Sequence, residues 1–207
     1  MKNSFALFFF LTIINNSFAQ LNQREWQFRA GVVSARIVSP SQGSTNAILK
    51  YTLGIFSEQR NSENAWSLLT GIELKGKGKG VNKKSQFQYK EQLDLQYLNF
   101  ASFTKLNIKK AYFCVGVFVG YLTYAENSLP VSSGRQVFNP NEVNKIDAGL
   151  IAGGGYRFFN LLDFGITYDH SLTNMYKRKI YGANLSSAYV YSRNRAISLY
   201  AGAIFKF

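Results

Sequence analysis

The feature that most restricts this chain is the two-residue rhythm of residues 147–174, DAGLIAGGGYRFFNLLDFGITYDHSLTN. The first arm sends Ile146, Ala148, Leu150 and Ala152 to one face, and Asp147, Gly149, Ile151, Gly153, Gly155 and Arg157 to the other. The second arm repeats this, setting Leu162, Phe164, Ile166 and Tyr168 against Asp163, Gly165, Thr167 and Asp169. A period of two marks strands with one apolar face. A turn at Phe159-Asn160 joins the arms into a tall hairpin. Carboxylates and glycines opposite the apolar face point to a narrow polar interior, with lipid rather than water outside.

The same rhythm recurs along the chain. Strands are expected over 25–37, 47–56, 65–75, 87–104, 111–124, the two hairpin arms and 195–207. In the fourth, Leu93, Leu95 and Tyr97 are read as lipid-facing, with Lys90, Gln92, Asp94 and Gln96 toward the interior, and weak alternation over 99–102 points to a bulge or an ambiguous register there. Connections 57–64, 105–110 and 159–160 are short, whereas 125–145 and 173–194 are long, and 38–46 and 76–86 share their side. Short turns on one side and long loops on the other are the asymmetry of an outer-membrane barrel. A soluble sandwich would also alternate, but its strands cluster near 5–6 residues, and here every strand, terminal ones included, carries an apolar face. The fold class is therefore all-β, an eight-stranded antiparallel up-and-down transmembrane β-barrel.

Residues 1–19 have the charged lead, short apolar run and Ser17-Phe18-Ala19 ending of a secretory signal, with cleavage expected after Ala19 and export to the outer membrane. Residues 20–207 form one barrel domain. Aromatics make up 16% of the chain, as strands with interfacial girdles require. Trp26, Trp66, Tyr97, Tyr121, Tyr156 and Phe207 are assigned to those girdles. The lone cysteine, Cys114, excludes an internal disulfide and reads as a small interior filler.

The runs LQYLNFASFTKLNIKKAYFCVGVFVGYL (95–122) and DAGLIAGGGYRF with LLDFGITYDHSLTNMY resemble the PorT-like outer-membrane β-barrel family of Bacteroidetes, small barrels of OmpX/OmpA-like architecture. The terminal AISLYAGAIFKF looks like the insertion signal of such barrels, carried by Tyr200, Phe205 and Phe207. The resemblance implies an outer-membrane address and contact with the barrel-assembly machinery during insertion. Some members are similar to components of the type IX secretion and gliding apparatus.

Two sets of residues are candidates for function. The first is an interior polar network of Lys50, Glu73, Lys90, Asp94, Asp147, Arg157, Asp163 and Asp169, with Lys75 and Lys206 on the same faces; Asp163 and Asp169 are expected to pair with Arg157 across the hairpin. Buried charges persist when paired, and eight strands leave an interior that side chains fill. The second is the basic loops, Lys77, Lys79, Lys83 and Lys84 in one and Lys177, Arg178 and Lys179 in another, placed to meet lipopolysaccharide phosphates or a protein partner. The formal charge of +13 carries no nucleic-acid reading motif with it, so no such partner is expected. His170 and Ser171 alternate to opposite faces, which denies a nucleophile its base. No catalytic, cofactor or metal residues are assigned. The expected function is non-enzymatic, in envelope structure, adhesion or partner binding. An accessory role in type IX secretion is the alternative, and a lipid-modifying enzyme ranks third.

Overall fold

The computed structural model describes residues 23–39, 43–60, 65–80, 92–128, 143–175, 179–181, 187–189 and 192–206. Its strands are β1 (Gln23–Ser39), β2 (Gly43–Ser44), β3 (Ile48–Arg60), β4 (Trp66–Lys79), β5 (Gln92–Ile108), β6 (Ala111–Ser128), β7 (Ile146–Phe158), β8 (Leu162–Ser171), β9 (Lys179–Tyr181), β10 (Ser187–Tyr189) and β11 (Arg193–Lys206). Eight of them (β1, β3 to β8 and β11) form a closed antiparallel barrel. Each pairs with its sequence neighbour, and β11 returns to β1 in continuous register from Glu25↔Lys206 to Val38↔Arg193. The short β2 continues the sheet beside β1, and β9 with β10 makes a separate small ribbon. The expected signal segment, Lys83, Lys84, Lys90, Lys177, Arg178 and Phe207 lie outside the described residues.

Two tight turns hold one end together. Leu161 N donates to Phe158 O at 3.0 Å, with Phe159 and Asn160 both at positive φ (49° and 56°) between them. That is the mirror-image turn whose twist suits a hairpin, as placed from the sequence. The second turn, Lys109-Lys110, follows the Ile108↔Ala111 pair, with Lys109 at φ 56°.

Several strands run further than their alternation alone indicates. β3 continues to Arg60, β4 to Lys79, β5 to Ile108 and β6 to Ser128. The cause is a change of surroundings along each strand. Across the belt, apolar side chains face outward and are exposed, among them Phe28, Val32, Ile55, Ile72, Phe100, Val117, Ile166 and Leu199. Toward the loop end the preference inverts. Leu93, Leu95 and Tyr97 point inward and are at most 1% exposed, packing with Ile37, Val143 and Met175 into an apolar cap over the lumen. This corrects the expected faces of β5: Gln92, Asp94 and Gln96 are on its other side, where Gln96 Nε2 donates to the outward Tyr51 Oη at 2.7 Å. It also removes Tyr97 from the aromatic girdle, while Trp26, Trp66, Tyr121 and Tyr156 are exposed there. Beyond the lipid, water is outside and greasy residues turn in.

The irregularity expected over 99–102 is displaced. The β5–β6 register shifts between Gln96 and Tyr97 instead, with Thr123 as the extra residue. Residues 99–102 alternate regularly, because the lumen at that level is apolar and takes Ala101 and Phe103. Phe56, Leu69, Tyr112, Cys114, Phe118 and Ile151 complete that layer, so the interior is polar only in parts.

Tyr112 and Tyr200 lean toward one another along the inner wall, over the two strands between them, where their register partners Gly155 and Gly165 have no side chain. A Cβ on Gly155 would lie 2.3 Å from Tyr112 Oη and 2.4 Å from Phe164 O, and one on Gly165 would lie 2.4 Å from Tyr200 Oη. Such approaches leave no room for any residue but glycine. Gly155→Val is expected to abolish the folded barrel, seen on unheated gels as loss of the species that resists SDS until boiled. Ala152→Val, on the exposed face of the same strand, should retain it.

Candidate functional site

Alternation delivers charged side chains into the lumen from seven of the barrel strands, and the ion pairs they make are mostly between strands far apart in sequence. At the turn end the hub is Glu58 on β3, fully buried. Its Oε2 accepts from Lys105 Nζ (3.0 Å), Arg157 Nη2 (2.6 Å) and Gln27 Nε2 (2.6 Å), and its Oε1 from Ser67 Oγ (2.7 Å) and Arg60 Nη2 (3.1 Å). Arg157 reaches past it to Glu25 at 2.9 Å, and Lys206 closes on the same carboxylate at 3.2 Å from a largely exposed position at the rim. Three cations on one carboxylate leave an excess of positive charge in a low-dielectric interior, which Glu25 offsets by sharing Arg157.

Gln27 passes the network upward. Its Oε1 accepts from Arg29 Nη2 at 2.8 Å, and the same nitrogen donates to Asp163 Oδ2 at 3.0 Å. Asp163 Oδ1 accepts from Tyr112 Oη at 2.6 Å, and Tyr112 Oη is also 2.6 Å from Tyr200 Oη. The Arg29 guanidinium lies over the Tyr200 ring at 4.4 Å, which adds a cation–π contact to the ion pair. A separate trio joins Lys75 to Glu73 at 3.0 Å and to Asp169 at 2.9 Å, with Asn99 and Thr52 donating to Glu73. Nearest the loops, Lys77 Nζ meets Asp147 at 2.8 Å and lies over the Phe118 ring at 4.0 Å. Asp147 takes further bonds from Ser171 (3.0 Å), Thr173 (2.9 Å) and Asn194 (3.3 Å). The enclosed void beside Arg29 and Lys75 measures about 20 Å³, room for roughly one water.

The structure thus brings Glu73, Asp147, Arg157, Asp163 and Asp169 into the lumen, and rearranges their partners. Arg157 is in register with Asp163, yet its ion pairs go to Glu58 and Glu25; Asp163 pairs with Arg29, and Asp169 with Lys75. For Arg157 and Asp169 a partner on the facing wall wins, because the side chains of adjacent strands run parallel and the facing wall presents an opposite charge end-on; Asp163 reaches past β11 alone to Arg29. Lys50 and Asp94 bond one another, but as a half-buried pair toward the loop end and apart from the lumen network. Lys77, assigned from the sequence to a loop tip, is fully buried on β4. Lys79 is the last residue of that strand, and Lys179 opens β9. Tyr200 belongs to the lumen, whereas Phe205 is exposed on the outer face.

Glu25, Gln27, Arg29, Glu58, Lys105 and Tyr112 were missed as members of the network. The signal for them is present. Glu25, Gln27 and Arg29 alternate with Trp26 and Phe28, and Glu58 and Lys105 each stand two residues beyond an inward phenylalanine. Strand ends taken too early hid the last two.

His170 and Ser171 do separate. Ser171 is buried against Asp147, while His170 is half-exposed outside beside Tyr168, ring centroids 6.3 Å apart. Among the described residues no group of three or more His, Cys, Asp and Glu side chains is placed to hold a metal ion.

A closed barrel with an apolar outer belt and a charged lumen defines the class of integral outer-membrane β-barrels. The chain belongs to the outer membrane protein beta-barrel domain family, whose model matches residues 18–177, and its location is the outer membrane. Among solved structures it is similar to Ail, the attachment invasion locus protein of Yersinia pestis (TM-score 0.49, 11% identity, covering 88% of this chain and 99% of that one). It is also similar to Neisserial surface protein A (0.45, 15%, 88% and 97%) and to the outer membrane protease OmpT of Escherichia coli (0.33, 12%, 90% and 97%). At these levels no binding or catalytic property transfers from any of them. A comparison with curated protein sequences found no match.

Removing the hub tests the network. Glu58→Ala should leave Lys105 and Arg157 short of countercharge and cost about 3–5 kcal/mol, read as a lower urea midpoint for the protein in lipid vesicles. Glu58→Gln combined with Lys105→Met should recover part of that loss.

Proposed function

We propose that the protein is a non-enzymatic outer-membrane barrel with a plugged lumen, acting in envelope structure and in binding anionic partners through its basic surface loops. The observation that carries this reading is where the charge lies. Inside the barrel, Arg29, Lys75, Lys77, Lys105 and Arg157 are set against Glu25, Glu58, Glu73, Asp147, Asp163 and Asp169. Interior carboxylates therefore outnumber the cations by one, and all of the formal excess of +13 belongs to the rest of the chain. Lys83, Lys84, Lys177 and Arg178 contribute to it in sequence segments that join barrel strands on the loop side. Basic segments of this kind attract phosphate and sulfate groups in a salt-dependent way.

Absence of conduction is supported by the ion pairs spanning the lumen and by the small void among them. Absence of catalysis is supported by the separation of His170 from Ser171, since a base must reach its nucleophile on one face.

Two measurements test the reading. In planar bilayers the purified barrel is expected to show no stable conducting state, and steady single-channel currents would overturn the plug. Binding of a sulfated polysaccharide should fall at least tenfold in the variant Lys83→Gln/Lys84→Gln/Lys177→Gln/Arg178→Gln and weaken as salt rises. Unchanged binding would overturn the role of the loops. A deletion strain that kept secreted cargo in its periplasm would replace this reading with a part in type IX secretion.

A further inference from the structure

Both ends of the long connection that follows β8 are fastened to one buried carboxylate. Asp147, near the start of β7, is 2% exposed. The strand order β11-β8-β7 places it beside the end of β8 at Ser171 and the beginning of β11 at Arg193. From the outgoing end, Thr173 Oγ1 donates to Asp147 Oδ1 at 2.9 Å. From the returning end, Asn194 Nδ2 donates to Asp147 Oδ2 at 3.3 Å. The other two donors come from the barrel wall, Lys77 Nζ at 2.8 Å and Ser171 Oγ at 3.0 Å. Lys77 supplies the countercharge that a buried carboxylate needs. Thr173 and Asn194 bring no charge, and what they add is a tie between the two ends of the loop.

Backbone contacts complete the base. Thr173 Oγ1 accepts from Ala148 N at 3.0 Å, which fixes the hydroxyl that Asp147 receives. Met175 N donates to Ser192 O, and Asn144 N donates to Met175 O, both at 2.7 Å. The outgoing chain, the returning chain and the end of the β6–β7 connection therefore lie side by side. The Met175 side chain is buried in the apolar cap with Leu95, Tyr97 and Val143. Between the fastened ends the sequence carries Lys177, Arg178 and Lys179, and Arg193 is exposed where the chain re-enters the wall. A polyanion that draws on several of these cations must meet them within one span. A loop whose ends are already joined gives up less freedom when it binds.

We propose that Asp147 is a positioning residue for this loop: by holding Thr173 and Asn194 together it fixes the base from which the loop presents its cations jointly to a sulfated polysaccharide. This role rests on the loop-binding reading above and names the residues that give the loop its place. Asp147 is itself buried and acts through the loop ends alone.

The test is binding of dextran sulfate to the full barrel in detergent, measured across a range of salt concentrations. Thr173→Val/Asn194→Leu cuts both ties and leaves the Lys77–Asp147 pair in place, so the folded species on unheated gels should persist. Its affinity is expected to fall about tenfold. The dependence of log Kd on log salt should also become shallower, because fewer cations then engage one polysaccharide chain at a time. Thr173→Ser keeps the hydroxyl and should restore wild-type binding. Ser171→Ala removes a bond to Asp147 without touching the loop and should leave binding unchanged. Wild-type affinity and salt slope in the double variant overturn the proposal, as does an equal loss in Ser171→Ala. Hydrogen exchange on the unaltered protein needs no substitution: the Asn144 and Met175 amides should be protected, and exchange at the rate of free chain overturns the clamp. If the quadruple charge variant Lys83→Gln/Lys84→Gln/Lys177→Gln/Arg178→Gln binds dextran sulfate as the wild type does, the loop reading fails and this role with it. If binding is lost there but intact in Thr173→Val/Asn194→Leu, only this role fails.

Discussion

Everything else in this barrel depends on the seam between β1 and β11. Hydrocarbon offers no water to an unpaired N–H or carbonyl, so a sheet survives in a membrane only when its edges pair with one another. Here they do so from Glu25↔Lys206 to Val38↔Arg193, along nearly the whole of both strands. Closing eight strands sets the bore at about the width that side chains fill. Charges delivered inward by alternation are then near enough to the opposite wall to pair across it, as Asp169 does with Lys75 and Arg157 with Glu58. The lumen network is thus a consequence of closure.

The network is also organised along the barrel axis. Glu58 gathers the cations at the turn end, Asp163 and the two tyrosines follow, and Lys75 and Lys77 hold Asp169 and Asp147 toward the loops. An apolar layer around Phe56, Phe103 and Phe118 is interposed, and an apolar cap around Leu95 and Tyr97 closes the loop end. A low dielectric strengthens each ion pair and penalises each stray charge. This favours carboxylates such as Glu58 that take several donors at once. Glycines at Gly155 and Gly165 are what let the long side chains of Tyr112 and Tyr200 lie along the wall and meet over β7 and β8.

The outer surface obeys a different rule at each height. In the belt it is apolar, at its upper edge it carries Arg36, Arg195 and His170, and above that the strands behave as those of a soluble barrel, with leucines inward and Gln96 outward. The Ala152–Gly154 hollow breaks the uniformity of the belt beneath the charged row. Function at a cell surface, as proposed for the loops, depends on these transitions more than on the lumen.

Much of this was legible in the residues. The hairpin of β7 and β8, its turn at Phe159-Asn160, the number of strands and the inward faces of Asp147, Arg157, Asp163 and Asp169 all follow from a period of two, which is local to each strand. What was not legible depended on height and on the far wall. The face of Leu93, Leu95 and Tyr97 could not be assigned without knowing that β5 overshoots the lipid, because the same leucine points out in hydrocarbon and in when water is outside. The burial of Lys77 depended on β4 running past residue 75. The partners of Asp163 and Arg157 depended on which side chains the curvature of the closed sheet brings face to face. The sequence by itself determined a strand-crossed, closed membrane fold, since alternation is a property of neighbours along the chain. Only the tertiary structure decided who pairs with whom, because a charge in a low-dielectric bore is satisfied by the nearest opposite charge in space, and across a barrel that neighbour is as much as 134 residues away.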